Sequence, residues 1–126
     1  MNKYIDKAKK ILDDSSKFDQ LAEGADEKFK SINDDSNKVN TFIKQLKTFV
    51  RMVKAHFSGK YSSFSTKSIL LMIAGIVYFV TPVDLIPDFI PALGFTDDFT
   101  VIFFIYRSLS GDIERFETWE KQQTVE

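Results

Sequence analysis

Along the first third of the chain, positions Tyr4, Ala8, Ile11, Ser15, Phe18, Ala22, Ala25, Phe29 and Ile32 follow alternating steps of four and three, the spacing of one helical face. Ile5, Leu12 and Leu21 widen that stripe, while Ser15 and the alanines thin it. An amphipathic helix is predicted, packing weakly on a partner surface, with Gly24 as the place for a bend or interruption. Packing within the chain is favoured over an intermolecular coiled coil of so few heptads. Asn33-Asp34-Asp35-Ser36-Asn37 can bond its own backbone and predicts a break. The helical period then resumes at Val39, Ile43, Leu46, Val50, Val53 and Phe57, thickened by Phe42 and Phe49, and closes at Gly59, which suits a C-terminal cap.

Residues 59–65 form a polar link that turns the chain, and Ser68 to Val83 is then uncharged and without a polar face. About 16 helical residues reach about 24 Å, short of a bilayer core of about 30 Å. Buried on all sides in protein or in lipid, the run is short for a simple span, yet adequate for a re-entrant half-hairpin or for a span in which Lys67 snorkels and the bilayer thins. Phe99, Ile102, Tyr106, Leu109, Ile113 and Phe116 predict a last helix, apolar nearly all round in its first half and acidic in its second. Ser110-Gly111 marks where that helix leaves an apolar environment, and the chain past Trp119 is expected to fray.

Between these two apolar segments lies YFVTPVDLIPDFIPALGFTDD, Tyr78 to Asp98, which holds all three prolines of the chain. Thr81-Pro82-Val83-Asp84 has the order of a helix start: a capping threonine, a proline at the first position, and an acid near the positive end of the dipole. Pro87 and Pro91 bias the residues before them away from the helical conformation, so short turns are expected from Val83 to Leu93. Gly94 permits an unusual backbone angle, and Thr96-Asp97-Asp98 repeats the capping pattern. The fold read from this pattern is all-α: a small bundle of amphipathic helices around a hydrophobic helical hairpin with a Pro/Asp-rich tip. Residues 1–35 form an N-terminal amphipathic arm, and residues 36–126 a domain with its hairpin over 66–110.

Charge sharpens the picture. The net charge of −1 hides a segregation: from Ser36 to Val83 there is no acid, while Lys38, Lys44, Lys47, Arg51, Lys54, Lys60 and Lys67 are basic. Nine acids then follow from Asp84 to Glu126, against Arg107, Arg115 and Lys121. A basic block beside an apolar run is the arrangement of a juxtamembrane segment, and Lys44, Lys47, Arg51 and Lys54, on one line of the second helix, are the candidate contacts for anionic lipid. The positive-inside tendency places them on the cytoplasmic side of a membrane. The same line equally suits a helix that covers a core and shows its cations to water.

Chemistry is sparse. The charged N-terminus lacks a signal peptide's apolar core, Asn2 stands where myristoylation needs glycine, and the absence of cysteine excludes lipid thioethers and disulfides. No phosphate loop or nucleophile system is present, His56 is a lone surface or interfacial histidine, and the basic line comes without a nucleic-acid recognition motif. A non-enzymatic protein without cofactor and without a nucleic-acid partner is expected, its partners being membrane lipid and a protein docked on the N-terminal helices. Pro82, Asp84, Pro87, Asp88, Pro91, Gly94, Asp97 and Asp98 are the candidate motif residues. Helix capping accounts for the four aspartates; convergence on a cation or basic partner is the sharper reading, although their spacing matches no EF-hand. Arg107 lies about 14 Å along the same helix from Asp97 and Asp98, so their counter-charge must come from another segment.

The string from Thr81 to Pro91, continued by Leu93-Gly94-Phe95-Thr96-Asp97-Asp98, resembles the motif of domain-of-unknown-function family 1232, the YkvA-like proteins, over roughly residues 68–106. The resemblance implies a small helical domain associated with membranes, without an established activity. Three roles are open: a membrane-associated adaptor or scaffold whose hairpin inserts in the bilayer, a soluble or peripheral helical interaction protein, and a cation-dependent sensor or enzyme using the aspartates.

Overall fold

The computed structural model describes residues 2–32, 37–85 and 102–125, with side chains described over 5–32, 37, 39–80 and 102–123. Its elements are α1 (Asn2–Leu12), α2 (Ser15–Ser31), α3 (Asn37–Ser58), α4 (Thr66–Leu85), α5 (described over 102–108) and α6 (Ser110–Val125). Among the described residues there is no strand, and the protein is all-α.

The N-terminal stripe is divided between two helices. The division falls at Asp13-Asp14 and not at Gly24. Asp14 is extended (φ −147°, ψ 102°) and caps α2, its carboxylate accepting from the Ser16 backbone N–H at 3.0 Å and from the Ser16 hydroxyl at 2.6 Å. An acid that bonds the orphan amides of the next helix outweighs continuation of the first one. These bonds, the hydroxyl first, hold the Asp14 carboxyl below its usual range. Gly24 stays helical within α2, and a Cβ there would stand 3.6 Å from Val80 on α4. The second break falls where expected: α2 ends at Ser31, α3 starts at Asn37, and residues 33–36 lie outside the described set.

α3 closes at Gly59, whose φ of +79° is the left-handed cap expected of it, with its N–H on the His56 carbonyl at 3.2 Å. The following link is only partly polar. Tyr61 and Phe64 turn inward and join Phe116 and Trp119 of α6, with ring centroids 4.8–5.9 Å apart. This cluster, together with the Arg51–Glu120 ion pair at 3.0 Å, ties the last helix down, so that α6 runs on to Val125 where fraying was expected beyond Trp119.

α4 lies at the centre. It packs against α1, α2 and α3; α5 touches it at Gly75, and α6 through Asp112. Ile69, Met72, Ile73, Ala74, Ile76, Val77 and Phe79 are fully buried, and Leu70, Leu71, Tyr78 and Val80 partly so. The facing residues are Ala8 and Ile11, Phe18, Ala22 and Ala25, Phe42, Leu46 and Phe49, Ile102 and Ile105. A helix without a polar face must be enclosed on every side, and here protein does the enclosing. Each large α4 side chain removed from water contributes about 1.5–3 kcal/mol before the entropy of ordering is counted. α4 also continues to Leu85, so Pro82 sits in its last turn and does not open a new helix. In that position a proline forfeits a single backbone bond near the end of the ladder.

Candidate functional site

Two regions carry the candidate residues. For the motif, the backbone of Pro82 and Asp84 belongs to the last turn of α4, while Pro87, Asp88, Pro91, Gly94, Asp97 and Asp98 lie outside the described residues. The capping by Thr96 and the turns expected after Leu85 lie there too, whereas over Val83 to Leu85, where turns were also expected, the chain continues α4. Arg107, weighed as their counter-charge, is exposed on α5. A described cation at the start of this stretch is one that sequence reasoning missed. Lys28 of α2 donates through Nζ to the Phe79 carbonyl, and the same ammonium stands 4.2 Å from the centroid of the Phe79 ring. The carbonyl oxygen and the aromatic face attract the ammonium together. Nothing in the local pattern marks Lys28, because its role depends on how α2 crosses α4. Among the described residues, no three His, Asp or Glu side chains come together as metal ligands would.

The second region is the basic line. Lys44, Lys47, Arg51 and Lys54 are all exposed on α3. They do not stand alone, because α2 runs antiparallel beside them: Phe18 meets Phe57 at 5.4 Å, and Lys47 lies 5.5 Å over the ring of Phe29. Between the two helices runs a groove of about 610 Å³. Asp19, Glu23 and Asp26 form one wall, Lys47, Arg51 and Lys54 the other, and Ala22, Phe29 and Val50 the floor. The acidic wall keeps the i, i+4, i+7 spacing of the basic one, so it was visible in the sequence. It went unnoticed because the apolar stripe of that helix drew the reading.

At the other end of α4, Ser65 caps the helix through its hydroxyl to the Ser68 N–H at 3.1 Å. The Ser65 hydroxyl also donates to Ser68 Oγ at 3.0 Å, and Ser68 donates to Asp112 Oδ2 of α6 at 2.8 Å. Arg115 holds the other oxygen of Asp112. This chain pins the start of α4 to α6 and leaves each polar member satisfied, as a half-buried network requires. On α5, Ile102 and Ile105 turn inward, whereas Phe104 is 70% exposed and is the one large hydrophobic side chain so exposed among the described residues. His56 is half-buried against Phe57, consistent with an interfacial residue.

A family model described as "Protein of unknown function (DUF1232)" matches residues 68–104. The uncharacterized membrane protein YkvA of Bacillus subtilis (strain 168) is 36% identical over 80 residues, which cover 64% of this chain and 76% of that protein. The chain belongs to the DUF1232 family. No solved structure matches it. The DUF1232 segment begins at Ser68, in the first turn of the central helix, and ends at Phe104, the exposed aromatic of α5. The 80 aligned residues exceed that segment, so the likeness to YkvA reaches beyond the motif.

Proposed function

We propose that this DUF1232 protein is a non-enzymatic, membrane-associated adaptor or scaffold that binds the cytoplasmic face of a membrane as a folded bundle, without inserting α4. Enclosure of α4 by protein is the observation that carries the peripheral mode. Among the described residues no helix is long and apolar enough to cross a membrane. The shell around α4 shows charge outward: Asp6, Lys7, Lys9 and Lys10 on α1, and Asp19, Glu23 and Asp26 on α2, are exposed or only partly covered. Such a shell cannot enter hydrocarbon without stranding its charges, so insertion of α4 would first require the bundle to open. The name of the YkvA relative, a membrane protein, supports the membrane.

The contact surface in this reading is the outer face of α5. Phe104 is exposed there, and Arg107, also exposed, stands one turn further on. An aromatic and an arginine side by side suit a headgroup region, where the ring meets acyl chains and the guanidinium meets phosphate. Flotation with vesicles containing anionic lipid tests this. The wild type is expected to float, and Phe104→Asp to bind about tenfold less, the worth of one aromatic lost from the apolar side. Equal flotation of both proteins, or of neither, counts against it.

A further inference from the structure

We propose that the α2–α3 groove is a self-complementary docking surface for a second copy of this chain. The walls are opposite in charge and matched in spacing. With Phe18 beside Phe57 and Phe29 beneath Lys47, the antiparallel helices set Asp26, Glu23 and Asp19 within one turn of the levels of Lys47, Arg51 and Lys54. Among the described residues no ion pair within 4.0 Å crosses the groove: Asp26 pairs with Lys30 along its own helix and Arg51 with Glu120 of α6. Opposite charges are thus held in rows and kept apart by the groove between them.

The symmetry of a homodimer chooses how such rows can meet. A two-fold axis perpendicular to the groove and in the plane of contact lays acidic wall on acidic wall. An axis along the groove turns each α2 onto the partner copy's α3 and keeps the level of every residue. Asp19, Glu23 and Asp26 of each copy then face Lys54, Arg51 and Lys47 of the other, and symmetry doubles each contact. The long side chains of both copies fill the hollow over Ala22, Phe29 and Val50. An interface made of rim-type charges is weak and salt-sensitive, because each exposed pair contributes little and is screened.

Sedimentation of the full chain at rising protein concentration, in about 50 mM and about 1 M salt, reads the association; it is expected to weaken by about tenfold or more as the Debye length shortens. Two variants spare Asp26, Arg51 and their partners: Asp19→Lys/Glu23→Lys, with two basic walls, and Lys47→Glu/Lys54→Glu, with two acidic walls. Each alone is expected to be a folded monomer by circular dichroism and sedimentation, and the two mixed are expected to form a heterodimer. Restoration on mixing excludes misfolding as the cause of either loss. A wild type that stays monomeric at low salt and millimolar concentration overturns the proposal, as does a pair of variants that fails to associate when mixed. Loss of anionic-vesicle binding by Lys47→Glu/Lys54→Glu and its gain by Asp19→Lys/Glu23→Lys, without change in self-association, would assign the groove to lipid headgroups and likewise overturn it.

Discussion

Gly75 stands at the middle of α4, facing Ile102 and Ile105 of α5. A Cβ there would meet Ile102 Cδ1 at 3.1 Å, Ile105 Cδ1 at 3.5 Å and Phe49 Cε2 at 3.7 Å. For Gly75→Ala the tight contact is with the flexible end of Ile102, which can shift by a few tenths of an ångström. The helix-propensity gain of up to about 1 kcal/mol offsets that shift and leaves the variant near neutral. Gly75→Leu is different, because three further carbons must enter among side chains that are themselves buried or against the core. Overpacking costs about 1–3 kcal/mol, and the propensity gain recovers less than 1 of it. The net loss of about 1–2 kcal/mol lowers Tm by about 4–8 °C for a chain of this size. Thermal melts followed by circular dichroism measure it, with Ile102→Ala and the double variant completing the cycle. Room made by the alanine should absorb the leucine, giving a coupling of about 1 kcal/mol or more. A lipid-facing Gly75 would gain from added apolar surface and show no coupling. Gly75→Leu melting at or above the wild type, with additive behaviour in the double variant, would refute enclosure of α4 by α5.

Lys28→Met keeps the aliphatic stem of the side chain and removes the ammonium from the Phe79 carbonyl and ring; a loss of about 1–3 kcal/mol is expected in chemical denaturation, whereas Lys30→Met on the exposed side should change almost nothing. Ser68→Ala breaks the chain from Ser65 to Asp112 and should cost about 1 kcal/mol, with faster amide exchange in the first turns of α4 and α6 as the local readout. Burial, with help from Glu117 and against Arg51, pushes the Tyr106 phenol above its usual range. The folded state thus holds that proton more tightly than the unfolded chain. Its contribution is complete below the ordinary phenol pKa of 10.0 and is lost as pH rises through the folded value, so Tyr106→Phe should flatten the alkaline fall of Tm. Asp14 has the opposite sign: its contribution is complete above the ordinary carboxyl pKa of 3.8 and is lost as pH falls through the depressed folded value. Asp14→Ala should therefore melt below the wild type at pH 7, with the gap closing in acid.

Periodicity carried most of the architecture, because apolar residues at helical spacing say which face of each helix must be covered. Phe42, Leu46, Phe49 and Val53 on α3, and Ile113 and Phe116 on α6, are buried as their spacing requires. What periodicity leaves open is the covering material. The uncharged run of α4 looks the same whether its neighbours are acyl chains or Ala8, Phe18 and Leu46, and that is decided by helix crossings between distant parts of the chain. The same limit hid Lys28, Tyr61 and Phe64, each of which has its role through a contact with a different helix or segment. The break at Asp13-Asp14 was missed for a local reason: an uninterrupted stripe was read as one helix, although an aspartate followed by two serines is itself a cap pattern. Proline was over-read as a helix start at Pro82, where a last turn accommodates it.

Whether α4 stays inside the protein when the protein is on a membrane is tested most directly by washing native membranes with alkaline carbonate and with high salt, without detergent, and following the full chain. A folded bundle held at the surface through the outer face of α5 comes off into the supernatant, where it retains the cooperative melt of the wild type. Retention in the pellet through both washes, with release by detergent alone, would mean that α4 has exchanged its protein shell for lipid, and would contradict the account.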